Sequence, residues 1–547
     1  MEIPDTAPAA RALFRIAWMR WAWAVTIVAA VAPLWFTPIL PLVDLPQHLH
    51  LISVLHRLKD PTTLYPRLFE ARGELTPYLG YYHAVSLLNW LLPLEIANKV
   101  FLSAYVAGMP LGMAFLLRSL GRPSWPALLS APFAYGDSFG WGFINYCSAL
   151  PLTFVAAGAF TRAIADPPRR WRWAAVLSVT LVSALLFHVQ AFLFLAAALP
   201  FLLVTTRAPE DGGPRREGAN PVALLLRPRL PALGGVVPGI ALFLAWFGAR
   251  LARPAEIAPG EPWKAWGPTF SPQNLAWKST EQNWNELPRV LANLLRDGSD
   301  RYALYAVALV ALAAAAVAGL ALLGHRAPSH RASHPIERWR MLGLAAIALA
   351  LYFLLPFDIR GYVYYLNTRY AHLAAPLLLA SIPIVRGRAA RALALAAAAC
   401  SVVLAVPLAR AFEAFGREAA PLTRLAASAA ERPMVMGLIF DPFSRIVTHP
   451  VFLHSAAVIA RERGGAANFS FASTPHSPIR YSGAPPPTFR SEWNPAEFSL
   501  QSHGYAYDHF LIRGVHPSRI FGAVLQSELY LAAEDGGFFL VRRRGGR

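Results

Sequence analysis

The chain has 547 residues, of which 56% are apolar and 15% charged, and its formal net charge is +19. Soluble domains usually carry about 25% charged residues, so the composition disfavours a soluble protein. Its 16 Trp, 32 Phe and 18 Tyr exclude intrinsic disorder. The two cysteines, Cys147 and Cys400, cannot form a disulfide framework, and both lie in apolar stretches typical of buried side chains.

Apolar runs predict a polytopic α-helical membrane protein with about eleven transmembrane helices, since a bilayer crossing takes about 20 apolar residues. In chain order the predicted spans are 18–40, 96–117, 124–135, 143–164, 174–187, 189–206, 230–251, 303–324, 341–356, 370–385 and 392–409. The first run lacks the cleavage site of a signal peptide. The stretch 174–206 is interpreted as two short helices broken at His188.

Arginines mark every second loop, and cytoplasmic loops collect basic residues. The basic segments are 11–20, 118–122, 169–172, 207–229, 326–340 and 386–391. They place the N-terminus inside and, after an odd number of spans, the C-terminus outside. We therefore expect an integral protein of a bacterial cytoplasmic membrane. The segment 79–93 is interpreted as a re-entrant or interfacial helix on the outer face.

The composition changes after Arg410, which predicts a transmembrane domain over 1–410 and an extracytoplasmic domain over 411–547. Alternating apolar residues and turn signals predict a small soluble α/β domain there. It contains no glycine-rich phosphate loop and no HExxH, GxSxG or CxxC motif. Its histidines are too scattered to indicate a metal site; they include His449, His454, His476, His503 and His509.

Two acids lie in loops predicted on the outer face. Asp44 directly follows the first span, and apolar residues then recur at helical spacing to Leu58, with His48 between them. This pattern predicts an amphipathic helix on the membrane surface. Asp44 could cap that helix, act in catalysis, or do both. Asp137 lies in the glycine-rich, aromatic loop 135–146, where it is either a solvated acid or a functional one.

Further candidates lie beside the predicted spans. His188 between two apolar helices is either a buried structural histidine or a ligand for phosphate or metal, and His83 is a weaker candidate of the same kind. Arg369 at the mouth of a late span suits bidentate phosphate binding, unless it is an interfacial anchor. The neighbouring Tyr370 could stack on a sugar or lipid. The tryptophan-rich loop 253–302 is long enough to indicate a binding lid.

Together these features resemble the GT-C superfamily of membrane glycosyltransferases, and protein O-mannosyltransferases and aminoarabinose transferases are the nearest comparison. The resemblance rests on Asp44 after the first span, the amphipathic helix behind it, Asp137 after the third span, and Arg369-Tyr370 with a following proline. It covers the architecture of residues 10–410. It implies transfer of a sugar from a polyprenyl-phosphate-linked donor to an acceptor glycan, lipid or protein at the outer face of the membrane.

The resemblance also implies roles for single residues. Asp44 would be the first-loop acid, a general base or metal-side carboxylate, and Asp137 the second-loop acid. Arg369 would hold the lipid phosphate, and the other expected substrate-binding residues are Tyr370, His48, His188 and His83. The first loop lacks an acidic pair, because Leu45 follows Asp44. Whether a divalent metal ion takes part therefore stays open.

Two other functions stay open. A lipid or solute transporter would fit the membrane spans, although the sequence shows no clear internal repeat and few acids within the spans. A non-catalytic GT-C-like protein of the cell envelope that binds lipid or carbohydrate would fit the missing acidic pair. Nucleic-acid binding is disfavoured, because the basic residues are spread over alternate loops rather than gathered in one patch.

Overall fold

The computed structural model describes residues 7–209, 226–252, 272–323, 337, 339–359 and 363–545. The first part of the predicted lid, 253–271, lies outside these residues, as do parts of two basic loops.

The membrane region consists of helices. The described α-helices are α1 Ala7–Val31, α2 Leu45–His56, α3 Tyr65–Leu68, α4 Leu79–Leu88, α5 Leu94–Ser119, α6 Asp137–Gly140, α7 Ile144–Ala165, α8 Arg170–Phe187, α9 Val189–Thr205, α10 Leu230–Ala252, α11 Thr280–Leu291, α12 Arg301–Leu323, α13 Arg340–Leu354, α14 Ala371–Ala380 and α15 Gly387–Ser428. Longer 3-10 segments cover Ala32–Trp35 and Trp125–Tyr135. Three short strands, β1 Phe69–Ala71, β2 Leu275–Ala276 and β3 Asp358–Ile359, lie in connecting segments.

The chain is a helical membrane protein. Within the described residues, six helices are long and apolar enough to cross a membrane: Leu94–Ser119, Ile144–Ala165, Pro167–Phe187, Arg227–Ala249, Arg301–Ala321 and Gly387–Ser428. Val189–Thr205 and Arg340–Leu354 are shorter apolar helices. The predicted break at His188 is present, because extended backbone there ends α8 and the imidazole accepts a hydrogen bond from Gln190 N at the start of α9.

Two predicted spans are shorter than expected. Residues Trp125–Tyr135 form a 3-10 helix in which every residue is buried, and at about 2 Å per residue it extends only about 22 Å, less than the apolar core of a bilayer. Ala371–Ala380 is a helix of 10 residues. Hydropathy marks both segments as apolar, but it does not distinguish a lipid environment from a protein one.

The helix predicted after Asp44 exists as α2, but it is not exposed as expected of an amphipathic surface helix. Most of α2 is buried, including its polar residues. Gln47 Nε2 donates to the carbonyl of Phe469 at 2.8 Å, and His50 Nε2 lies 3.1 Å from the carbonyl of Gly465. The C-terminal segment thus covers the face that the sequence pattern assigns to water and lipid headgroups.

The C-terminal segment contains a five-stranded sheet. Its elements are β4 Met434–Ile439, α16 Ser455–Glu462, β5 Ala466–Ala467, β7 His509–Arg513, α17 Ser518–Phe521, α18 Val524–Ser527, β8 Leu529–Asp535 and β9 Phe538–Arg543, while β6 Ile479–Tyr481 pairs with β1. The strand order is β5-β4-β7-β9-β8. β4 runs parallel to β5 and β7, and β9 runs antiparallel to β7 and β8. α16 packs on β4, and Met436, Leu438 and Phe510 lie in the core of the opposite face.

The predicted domain boundary at 410/411 falls inside one continuous helix. α15 has 42 residues and runs from an apolar membrane segment to the sheet. Phe415 and Leu422 of α15 are buried there, and Arg424 pairs with Asp535 of β8. One helix therefore belongs both to the membrane region and to the packing of the sheet.

The two ends of α5 carry segments that the sequence places on opposite sides of the membrane. Glu95 in the first turn of α5 pairs with Arg461 of the C-terminal segment at 2.9 Å. At the other end, Ser119 accepts a hydrogen bond from Arg162 at 2.8 Å. Because α5 has 26 residues, about 39 Å of helix separates the two ends.

Candidate functional site

Backbone hydrogen bonds join the two acidic loops. Val43 N donates to the carbonyl of Gly140 and Asp44 N to that of Trp141, both at 3.1 Å. Gly142 has φ +83°, and a Cβ there would lie 2.8 Å from Asp44 N, so the close approach requires glycine at this position. The loop after Asp137 is therefore fixed against the N-terminus of α2.

Asp137 begins α6 and contacts a histidine from the far end of the chain. Its Oδ1 lies 2.9 Å from His449 Nε2, across 312 residues of sequence. The histidine side chain is 3% exposed and that of Asp137 16%. Gly140 lies against the imidazole, where a Cβ would come within 2.4 Å of the ring. The pair is thus almost enclosed by protein, with one edge of the carboxylate accessible.

Asp44 makes no capping hydrogen bond, although it precedes α2. Its Oδ1 lies instead 3.5 Å from Nε2 of His454, and the Nδ1 of His454 lies 3.0 Å from Glu492 Oε2. Burial by itself lowers the pKa of His454, but the charge of Glu492 and hydrogen bonds to both carboxylates outweigh it and raise the pKa to about 10. A cationic imidazole thus lies between two carboxylates.

His48, predicted to bind substrate, lies behind Asp44. Its Nδ1 is 2.7 Å from the Tyr82 hydroxyl and its Nε2 is 3.2 Å from the carbonyl of Gly142. Burial lowers the pKa of His48 to about 4, against the opposing charge of Asp44. A neutral ring that donates from Nε2 and accepts at Nδ1 satisfies both contacts. His48 therefore positions the acidic loops.

Arg369 is buried at the same end of the molecule, 8% exposed. Its Nη1 donates to Gln190 Oε1 at 2.7 Å and lies 3.0 Å from His188 Nε2, while the guanidinium stacks 4.2 Å above the ring of Phe143. Burial lowers the pKa of Arg369, and neighbouring groups that include Asp44 oppose this. The charge of Asp44 is therefore close enough to favour the charged form of Arg369.

Two donors face the imidazole of His188. Its Nδ1 accepts from Gln190 N at 3.2 Å, and its Nε2 faces Arg369 Nη1 at 3.0 Å. Burial, followed by the charges of Arg369 and His476, lowers the pKa of His188 well below its ordinary value. A neutral imidazole offers one acceptor nitrogen, so one donor lacks an acceptor there. Arg369 Nε is also buried without a partner among the described groups.

The other two predicted binding residues lie apart from these contacts. Tyr370 is 1% exposed, and its hydroxyl donates to the backbone carbonyl of Gln190 at 3.4 Å, so it supports the segment that holds Arg369. His83 is exposed on α4. Within the described part of the chain, no contact joins His83 to Asp44 or Asp137.

Aromatic rings surround the Asp137 side of the site. The ring of Trp141 lies 5.1 Å from Tyr365, 5.4 Å from His449 and 6.4 Å from Trp493. Tyr365 adopts a positive φ of 58°, a conformation that non-glycine residues rarely adopt and that is often found at functional sites. Aromatic faces of this kind suit the apolar face of a sugar ring.

The sequence did not reveal His449, His454 and Glu492. Each lies far along the chain from its partner, and no local motif marks it. One available signal was that His454 interrupts the apolar run Val451–Ala460, where a polar side chain must find a buried partner. In the described residues, no group of three His, Cys, Asp or Glu side chains is arranged as a metal site.

The chain matches no protein-family model and none of the curated proteins. It is similar to the solved structure of ArnT from Cupriavidus metallidurans bound to undecaprenyl phosphate, at 12% identity over 97% of this chain and 98% of that one, with a TM-score of 0.45. It is also similar to arabinofuranosyltransferase AftD from Mycobacteria, at 13% identity over 97% of this chain and 40% of that one, with a TM-score of 0.47.

A third similar structure is the oligosaccharyltransferase of Archaeoglobus fulgidus in the apo form, at 11% identity over 91% of this chain and 69% of that one, with a TM-score of 0.42. All three are glycosyltransferases of the GT-C superfamily, the superfamily that the sequence resembles.

We expect the pairing of His454 to make stability depend on pH. Because its pKa is raised from 6.5 to about 10, the pairing stabilises the fold fully below about pH 6.5 and loses this effect as the pH rises towards 10. The difference in unfolding free energy between the wild type and His454→Gln should shrink over this range by a few kcal/mol, in order of magnitude. Chemical denaturation in detergent measures it.

The exposed His516 supplies the control, since His516→Gln should differ little from the wild type at any pH in this range. A stability difference for His454→Gln that does not change with pH would show that His454 is uncharged in the folded protein.

Proposed function

We propose that the chain transfers a sugar from a polyprenyl-phosphate-linked donor to an acceptor at the outer face of the membrane. One observation carries the proposal: Asp44, Asp137 and a buried Arg369 with an unsatisfied N–H group lie at the same end of the bundle. An acid to take a proton and a cation to take a leaving phosphate are the two groups that this transfer needs.

Arg369 is the proposed phosphate ligand. Its guanidinium is buried among aromatic rings, where water screens charge weakly, and its Nε–H has no partner among the described groups. A phosphate oxygen would give that donor an acceptor in a bidentate arrangement. Gln190 fixes the orientation of the guanidinium from the other side at 2.7 Å.

The proposed reaction moves one sugar residue. The acceptor hydroxyl oxygen forms a bond to C1 of the sugar, and the bond between C1 and the phosphate oxygen breaks. The electron pair of that bond remains on the phosphate, where Arg369 stabilises the developing charge. The hydroxyl proton passes to Asp44, and His454 orients this carboxylate. Asp137, held by His449, lies beside the aromatic rings that suit the sugar.

The C-terminal segment belongs to this site in our proposal. It supplies His449 and His454, which contact Asp137 and Asp44. Since the C-terminal segment contacts the end of α5 opposite the basic segment 118–122, we place the C-terminal segment and the site outside, with the N-terminus inside. The sequence predicts about eleven spans, and an odd number of spans would place the two termini on opposite sides in the same way.

Replacing either acid by its amide should slow transfer. We expect Asp44→Asn to lower the rate by about a hundredfold or more, because a general base contributes at least this much, and Asp137→Asn to lower it by weakening the contact with His449 that holds the loop in place. Release of polyprenyl phosphate from polyprenyl-phosphate-linked sugars, with envelope extract as the acceptor source, measures the rate. Asp60→Asn, in the exposed turn after α2, is the matched control. Wild-type rates in Asp44→Asn would overturn the base assignment.

Changing Arg369 should affect the lipid phosphate first. Arg369→Lys keeps the charge but loses the planar pair of donors, and we expect both it and Arg369→Gln to bind polyprenyl phosphate about tenfold or more weakly. Arg67→Gln, an exposed arginine near the same end, should bind like the wild type. Equal affinities of all four proteins for polyprenyl phosphate would remove the role of Arg369.

The orientation can be tested directly. A reporter enzyme that is active only outside the cytoplasmic membrane, fused after Arg547, should be active. The same reporter fused within the basic segment 118–122 should be inactive. The reverse pattern would place the site on the cytoplasmic face.

A further inference from the structure

A cavity that is separate from the proposed transfer site lies where the bundle meets the C-terminal sheet. It has a volume of about 560 Å³ and lies between the loop before α12, the middle of α15 and the loop after β4. Three arginines line it, one from each of these segments: Arg296, Arg410 and Arg445. The proposed transfer uses none of them.

The local structure fixes two of the three segments against each other. Leu295 and Val447 form an antiparallel bridge, and Arg296 N donates to the carbonyl of Ile446 at 3.0 Å. Asp300 is buried and accepts from the backbone N–H groups of Leu294 and Leu295. The backbone that carries Arg296 is therefore held in place beside the segment of Arg445.

The charge of the cavity is not neutralised by the described protein groups. The guanidinium groups of Arg296, Arg410 and Arg445 form no hydrogen bond or ion pair with described residues. The single acid in the lining, Asp297, accepts from the backbone and hydroxyl of Ser299. The lining therefore has three cations but one carboxylate, which is already hydrogen-bonded. An anion with several oxygens would balance this excess of positive charge.

The cavity lies next to the apolar parts of two helices. Arg296 lies just before the apolar helix α12, and Arg410 lies just after the apolar part of α15. Below it, both helices expose large apolar side chains, among them Tyr305 at 61% and Val406 at 46% exposure. A basic cavity above an exposed apolar surface matches an amphiphile with an anionic headgroup and acyl chains.

We propose that this cavity binds the phosphate headgroup of an anionic membrane lipid, with its chains along α12 and α15. Inorganic phosphates share the headgroup chemistry, but the adjoining apolar surface favours the lipid. The site is independent of the proposed sugar transfer, and its occupancy can be measured without any activity assay.

The test compares two triple variants with equal loss of charge. Arg296→Gln/Arg410→Gln/Arg445→Gln removes the cavity cations. Arg289→Gln/Arg417→Gln/Arg519→Gln removes three exposed arginines that do not line the cavity. Native mass spectrometry measures the phosphatidylglycerol that each protein retains from vesicles of phosphatidylcholine and phosphatidylglycerol, and thermal unfolding in detergent checks that each is folded. If the cavity triple variant unfolds, the single variant Arg410→Gln is compared with Arg417→Gln.

We expect the cavity variant to retain about tenfold less phosphatidylglycerol than the wild type, and the control variant to stay within about twofold. Equal retention of phosphatidylglycerol by the cavity variant and the control variant would contradict the proposed lipid site. Titration with inorganic pyrophosphate distinguishes the source of the anion. Cavity-dependent binding of pyrophosphate, with no preference for phosphatidylglycerol over phosphatidylcholine, would overturn the lipid assignment.

Discussion

The pairing of membrane-region acids with C-terminal histidines is the interaction on which the rest of the site depends. Asp137 contacts His449 and Asp44 contacts His454, and in both pairs the histidine is almost fully buried. A buried charge without a partner is costly. Each pair therefore requires the sheet to be docked on the bundle, and each positions an acid in the docked state. The continuous helix α15 keeps the two parts in this arrangement.

Several features could be predicted from the sequence because they depend on local pattern. Helices occur at most of the apolar runs, although several bounds differ from the predicted ones, and the break at His188 is where the sequence predicted it. Asp44, Asp137 and Arg369 stood out because charged residues beside apolar spans are uncommon. The structure brings these three to one end of the bundle, as the alternation of basic loops suggested.

Other features could not be predicted because they depend on contacts between distant segments. Polar side chains such as Gln47 and His50 can face either water or buried protein partners, so the sequence did not show that the C-terminal segment covers them. No sequence motif marks His454 or Glu492. Their role is visible only in the folded protein, where His454 lies between Asp44 and Glu492. The sequence predicts that Tyr370 could stack on a sugar or lipid, whereas its side chain is buried and its hydroxyl contacts Gln190.

The basic residues of the chain fall into two groups. In our proposal the arginines of the short basic loops act as an orientation signal. The second group lies outside these loops: Arg369 is buried beside His188, and three arginines line the cavity between α15 and the sheet. In our proposal Arg369 binds the phosphate of the lipid that reacts, and the three cavity arginines bind the headgroup of a lipid that stays bound.

The most direct test of the central claim, that this end of the bundle holds a polyprenyl-phosphate-linked sugar, is mass spectrometry of the lipids that co-purify with the wild-type protein. We predict a polyprenyl phosphate carrying a sugar, at a level that falls when Arg369 is replaced. A protein that carries a transported solute and no polyprenyl phosphate would contradict the claim.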